Sequence, residues 1–161
     1  MPPFQKSDAD KEKTEPQALM EHLRKRRDAM DIRIYYEDTD CGGVVYYANY
    51  LKYFERARTQ YLEDRGLSVA ELLKAGRVFV VVHAEVDYRA PARYGDTLEI
   101  ETIISDMNPA AITFSHVVRE RQSRRVVVEG AARLAVTDGN GKVKRLDKQT
   151  VAALQSDQPG C

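Results

Sequence analysis

Residues 47–66 read YANYLKYFERARTQYLEDRG. Tyr47, Tyr50, Leu51, Phe54, Ala57, Tyr61 and Leu62 recur at three- and four-residue spacing, while Lys52, Glu55, Arg56, Glu63 and Asp64 sit elsewhere on the wheel, the pattern of a long amphipathic helix. Gly66 follows the last turn as a capping glycine would. Ser68-Val69-Ala70-Glu71 has capping-box form and opens a second, short helix that Gly76 stops. On both sides of these helices the period changes to two. Upstream, Ile32–Tyr36 alternates Ile32, Ile34 and Tyr36 against Arg33 and Tyr35. Downstream, Val78–Arg89, Thr97–Ser105, Ile112–Arg119 and Arg125–Thr137 read as four strands. Val78, Val80, Val82, Ala84, Val86 and Tyr88 are expected to line one face of their strand, and Leu98, Ile100 and Ile104 to point inward against Glu99 and Glu101. The joining loops are short, so the neighbours are antiparallel, because parallel ones need a crossover of about a dozen residues.

One antiparallel sheet and one long helix must bury each other's apolar faces. Gly130, Ala131 and Ala132 supply small side chains where the sheet can curl. The expected fold is α+β, a curved antiparallel sheet wrapped around one long central helix. Val81, Ile103, Val117 and Val127 are left on the outward positions, which predicts a covering subunit and at least a homodimer.

The chain has 161 residues, a length that suits one domain. Its 25 Lys and Arg balance 25 Asp and Glu, which argues against a dedicated nucleic-acid binder. No apolar run reaches the ~18–20 residues needed to span a bilayer. The first residues, MPPFQKSDADKEKTEPQ, lack the apolar core of a secretory signal, so a cytoplasmic location is expected. Cys41 and Cys161 make no disulfide framework, and His22, His83 and His116 are too scattered for a metal site. Residues 1–29 read as a disordered or loosely helical extension, 30–147 as the folded domain and 148–161 as a C-terminal tail. Within the extension, Arg24–Arg27 favours a solvated charge cluster and leaves open peripheral contact with an anionic membrane.

Chemistry concentrates between Tyr35 and Tyr50, YYEDTDCGGVVYYANY. Seven of the nine tyrosines lie between residues 35 and 61, around a strand–helix junction that also carries Glu37, Asp38 and Asp40. The plain reading is a loop whose acids favour the helix dipole and whose tyrosines pack. The functional reading is that Gly42-Gly43 lets backbone N–H groups approach a ligand, while the helix N-terminus offers free donors to an oxygen bearing negative charge.

Asp38-Thr39-Asp40, Gly42-Gly43-Val44-Val45-Tyr46, Asn49-Tyr50, Phe54-Glu55-Arg56-Ala57-Arg58 and Tyr88-Arg89-Ala90-Pro91-Ala92 closely resemble the hotdog-fold acyl-CoA thioesterases. The most similar branch is the Tol–Pal-associated one of the 4-hydroxybenzoyl-CoA thioesterase family. The resemblance spans about residues 31–147 and implies the hotdog fold, paired into a homodimer or homotetramer. It also implies hydrolysis of acyl-CoA or acyl carrier protein thioesters at a site between subunits, with no cofactor, coenzyme A being part of the substrate.

The family's catalytic carboxylate falls on Asp40, and the N–H expected to polarise the carbonyl falls on Tyr47, in the first helical turn. A thiolate leaves readily, since its thiol titrates near ~8.5, so one carboxylate and one oxyanion donor suffice. Asp40 as general base on water and Asp40 as nucleophile both remain open. Tyr36, Gly43, Val45 and Tyr46 are the residues expected to meet the substrate around the junction, with Asn49 holding the loop backbone. Several members of the branch carry a His where this chain has Tyr47, whose phenol cannot serve as a base at neutral pH. The loop Asp106–Ala110 lacks the basic residues that aromatic-CoA members use for the nucleotide. Arg89 and Arg93 are the substitutes named for its phosphates, against the alternative of solvated loop charges. The alternative function is a non-catalytic acyl-thioester-binding component of a cell-envelope complex. A hotdog dehydratase is disfavoured because no His stands at the junction.

Overall fold

The structure is a computed structural model and describes residues 15–19 and 28–155. Most of the expected N-terminal extension, including Arg24–Arg27, lies outside the described residues. Within it, residues 15–19 are helical with exposed side chains.

Five strands form one antiparallel sheet: β1 (Ala29–Arg33), β2 (Val78–Tyr88), β3 (Thr97–Asn108), β4 (Ala111–Glu120) and β5 (Val126–Thr137), in the order β1-β3-β4-β5-β2. The long helix α1 (Asn49–Glu63) lies against this sheet, and short α2 (Val69–Lys74) follows it. Ser68 accepts from the Glu71 N–H and so caps α2 as its sequence foretold. The expected sheet-around-helix architecture is present. Leu98, Ile100, Ile112, Phe114, Val118 and Val128 supply the sheet's core face, and Tyr50, Tyr53, Phe54, Ala57, Tyr61 and Leu62 the helix face.

Several expectations change in detail. Tyr53 belongs to the buried helix face, whereas Leu51 is 44% exposed on its flank. β1 starts and ends earlier than Ile32–Tyr36, because the chain turns into a 3-10 turn at Tyr36–Asp38; Tyr36 stands in solvent instead of continuing the strand's inward alternation. On β2 the register slips between Val81 and His83. Before this bulge Phe79 and Val81 pair with core-facing Val136 and Leu134; after it Ala84 and Tyr88 pair with core-facing Ala132 and Val128. The even positions therefore face the core only beyond the bulge, which swaps the faces as a one-residue insertion must. A second slip on β5 makes Val127 the extra residue, and it is buried in the core, not outward. The segment from residue 148, expected as tail, contains α3 (Lys148–Gln155), whose Leu154 is fully buried. Asp147 caps it, accepting from the Thr150 N–H at 2.7 Å and from its hydroxyl at 3.0 Å.

Where the helix crosses the sheet, Gly130 leaves room for the Phe54 ring, which stacks on the imidazole of His116 at a centroid distance of 4.5 Å. His116 is 1% exposed, with Nδ1 3.0 Å from Thr102 Oγ1. Burial, helped by the Arg58 charge, pushes its pKa down to about 3. The unfolded chain therefore binds this proton below pH 6.5 while the folded chain does not. The stability contributed by neutral His116 is complete above pH 6.5 and is lost, at about 1.4 kcal/mol per pH unit, as pH falls toward 3. Urea unfolding at pH 6.5 and pH 5 should show about 2 kcal/mol of loss from this group that is missing in His116→Phe. Equal pH slopes in the two proteins would contradict it.

Candidate active site

The loop between β1 and α1 is a small closed structure. Thr39 and Val45 form an antiparallel bridge, the Asp40 N–H donates to the Val44 carbonyl at 2.9 Å, and Val44 bridges to Arg93. Asp40 sits at the tip, exposed, with Oδ1 accepting from the Gly42 N–H at 2.8 Å. The Gly43 N–H donates to the Asp40 carbonyl at 3.0 Å. A side chain at Gly42 would begin 3.1 Å from that carboxylate, and Gly43 has φ +76°, a conformation that favours glycine. The glycines thus shape the loop around Asp40. Both of their N–H groups are used within it, which corrects the expectation that they would face a ligand.

Asp38 ties the loop to the helix. Its Oδ2 accepts from the Tyr35 N–H at 2.8 Å and its Oδ1 from the Tyr53 hydroxyl at 3.0 Å. Its carbonyl accepts from the Tyr46 N–H and from Asn49 Nδ2, both at 2.9 Å. Asn49 therefore bonds the loop backbone directly. Burial, and then the Asp38 carboxylate, raise the Tyr53 pKa well above that of a free phenol. Burial likewise pushes Tyr50 up to about 12, so these phenols stay protonated.

The helix begins at Asn49, with Ala48 as its N-cap, so Tyr47 lies in the turn ahead of it and not in the first helical turn. The Asn49 N–H closes this turn on the Tyr46 carbonyl at 2.9 Å. Among the described residues no acceptor takes the Tyr47 N–H, which makes it one of the open donors at the helix entrance. The Tyr47 carbonyl accepts from the Tyr88 hydroxyl at 2.9 Å, and the two rings meet edge to face. Tyr46 packs on Tyr47 with centroids 4.8 Å apart, and that neighbouring phenol raises its pKa. Tyr46, Tyr47 and Tyr88 form a half-exposed aromatic wall beside the helix entrance.

The remaining residues divide. Val45 is buried, donating its N–H to the Ala92 carbonyl at 2.8 Å, and supports the loop from below. Arg93 approaches the loop: its guanidinium lies 3.9 Å from where a Gly43 side chain would start. Arg89 is engaged in an ion pair with Glu129 at 3.1 Å. Tyr36 is 82% exposed and joins neither the aromatic wall nor the described bonds of Asp40. Cys41 is exposed. Among the described residues no three His, Cys, Asp or Glu side chains gather closely enough to hold a metal ion. The Asp38–Tyr53 bond was missed because Tyr53 was not counted on the inner helix face; it lies four residues from Asn49, so both reach the same point.

A family model described as the thioesterase-like superfamily matches residues 35–154, the whole of this arrangement. The chain belongs to that superfamily. Among its thioesterase-like relatives, the acyl-CoA thioester hydrolase YbgC of Escherichia coli O6:H1 is 46% identical over 84 residues, covering 52% of this chain and 63% of that protein. The chain thus spans just under two thirds of that relative's length. The acyl-CoA thioesterase YbgC of Haemophilus influenzae is 38% identical over 125 residues, 76% of this chain and 90% of that protein. A solved structure of a hypothetical protein from Thermus thermophilus superimposes with a TM-score of 0.76 at 29% identity, covering 81% of this chain and 99% of that one. Thioesterase-like membership and the hotdog arrangement of sheet and helix agree with one another.

Proposed function

We propose that this protein hydrolyses acyl-CoA thioesters, or those of acyl carrier protein, to the free acid and thiol. One observation carries the reading: an exposed carboxylate, Asp40, is held on a closed loop bonded to the start of α1, where the Tyr47 N–H meets no acceptor among the described residues. The likeness to relatives named as acyl-CoA thioesterases supports it. In this account the thioester carbonyl oxygen accepts from the Tyr47 N–H, which stabilises the charge that develops there. Asp40 then either removes a proton from the attacking water or attacks the carbonyl carbon itself, giving a mixed anhydride that water cleaves. The thiolate departs without needing a proton donor, and no cofactor is required. In this account Tyr46, Tyr47 and Tyr88 supply an apolar wall for the acyl group, and Arg93, whose guanidinium approaches Gly43, is the cation assigned to a nucleotide phosphate. Gly43 and Asn49 maintain the loop, and Val45 supports it from the core.

The proposal includes a homodimer. Among the described residues β2 pairs only with β5, and its Val80, Val81 and Val82 are 42%, 47% and 57% exposed. A second β2 would continue the sheet and cover this surface. A cytoplasmic location, association with the Tol–Pal envelope system and peripheral contact at the inner membrane remain part of the proposal through the resemblance.

Thiol release from a panel of acyl-CoAs of varied length and shape tests the function. Turnover of at least one member is expected. Saturable binding with no turnover across the panel would overturn hydrolysis in favour of a non-catalytic acyl-thioester-binding role.

A further inference from the structure

Asp38 receives four donors from four parts of the junction: Tyr35 at the strand exit, Tyr46 on the returning loop, Asn49 at the helix start and Tyr53 one turn further along. Between Asp38 and Tyr46 lies the whole segment that carries Asp40, and Tyr47 follows directly. That segment is closed by the Thr39–Val45 bridge and joined to the neighbouring loop by the Val44–Arg93 bridge. The side chains of α1 that bond this junction, Asn49 and Tyr53, both do so at Asp38. Tyr53 is the deepest point of the attachment, 1% exposed, in a core where Phe would fill the same volume. A hydroxyl placed there costs desolvation unless it is bonded, and its partner is the Asp38 carboxylate.

We propose that Asp38 and Tyr53 are positioning residues, which fix the Asp40 carboxylate relative to the Tyr47 N–H without touching the substrate. The proposal rests on the thioester-hydrolysis reading given above. Misplacing a reacting group by about 1 Å costs up to ~10²-fold in rate, so loosening this attachment should act on the chemical step and not on binding.

The test compares Tyr53→Phe, Asp40→Asn and the double variant in thiol release, with amide hydrogen exchange measured on the same proteins. Tyr53→Phe should lower kcat about 10-fold with KM changed less than about 2-fold. Added to Asp40→Asn, it should lower the residual rate by less than about 2-fold, since the group it positions is already gone. Amides of residues 40–47 should exchange at least about 10-fold faster while those of β3, β4 and β5 keep their protection. Asp38→Asn, which loses one of the two carboxylate acceptors, should reproduce the faster exchange. Parent-like kinetics, the same 10-fold loss in both backgrounds, or unchanged exchange at residues 40–47 would each overturn the proposal. If the parent hydrolyses no acyl-CoA, the thioesterase reading fails by itself, and exchange alone decides the attachment: faster in both variants supports it, unchanged overturns it.

Discussion

Asp40→Asn is expected to slow thiol release by at least about 100-fold, with KM and thermal unfolding close to the parent. The separation of rate from stability follows from the loop. Asn retains an Oδ1 that can accept the Gly42 N–H, so the turn that Asp40 heads stays closed. The Asp40 N–H still meets the Val44 carbonyl, and the Gly43 N–H still meets the carbonyl of residue 40. What disappears is the negative charge and the basic or nucleophilic oxygen. Since the side chain is exposed, its removal leaves no buried group unpaired, and surface changes of this kind usually shift stability by no more than ~0.5 kcal/mol. Steady-state release from the best acyl-CoA, alongside thermal unfolding, checks both halves. Unchanged turnover would remove the catalytic role from this residue.

Gly130→Ala should cost about 3 kcal/mol, the upper end of the usual range for overpacking a core. An added Cβ would stand 2.5 Å from the Phe54 ring and 2.7 Å from the Glu85 carbonyl. The ring is pinned between the sheet and the His116 imidazole, and the carbonyl belongs to the neighbouring β2 backbone, so neither yields cheaply. The strain therefore falls on the seat of α1, one turn from Tyr50. Thermal unfolding should drop by roughly 10 °C. Gly139→Ala, where an added Cβ meets nothing within 4 Å, is the control and should stay within ~0.5 kcal/mol of the parent. Equal midpoints for the two variants would mean that Phe54 does not need the gap.

Particular residues explain what the sequence made legible. The long helix and β3 were readable because one period dominates their apolar residues: Leu98, Ile100 and Ile104 are buried, with Glu99 and Glu101 between them. β2 was not, since in Val78-Phe79-Val80-Val81-Val82 both parities are apolar and no residue type announces the bulge. Gly130 was legible as a place for the sheet to curl, but the ring that fills it belongs to an element far away in sequence. At the junction, three acids within four residues look alike on paper. The 3-10 turn at Tyr36–Asp38 sends Asp38 toward the helix and Asp40 toward solvent, a distinction that depends on backbone geometry. α3 had a readable start in Asp147 and Thr150, but its eight residues were too few for the apolar spacing to stand out.

The claim at the centre of this account is that the entrance of α1 receives a thioester carbonyl. A crystal structure with an acyl-CoA analogue in which a methylene replaces the sulfur tests it most directly. The account predicts the ketone oxygen about 3 Å from the Tyr47 nitrogen, with the Asp40 carboxylate facing the carbonyl carbon or a water beside it. An acyl group bound elsewhere, with the Tyr47 N–H left to solvent, would contradict it.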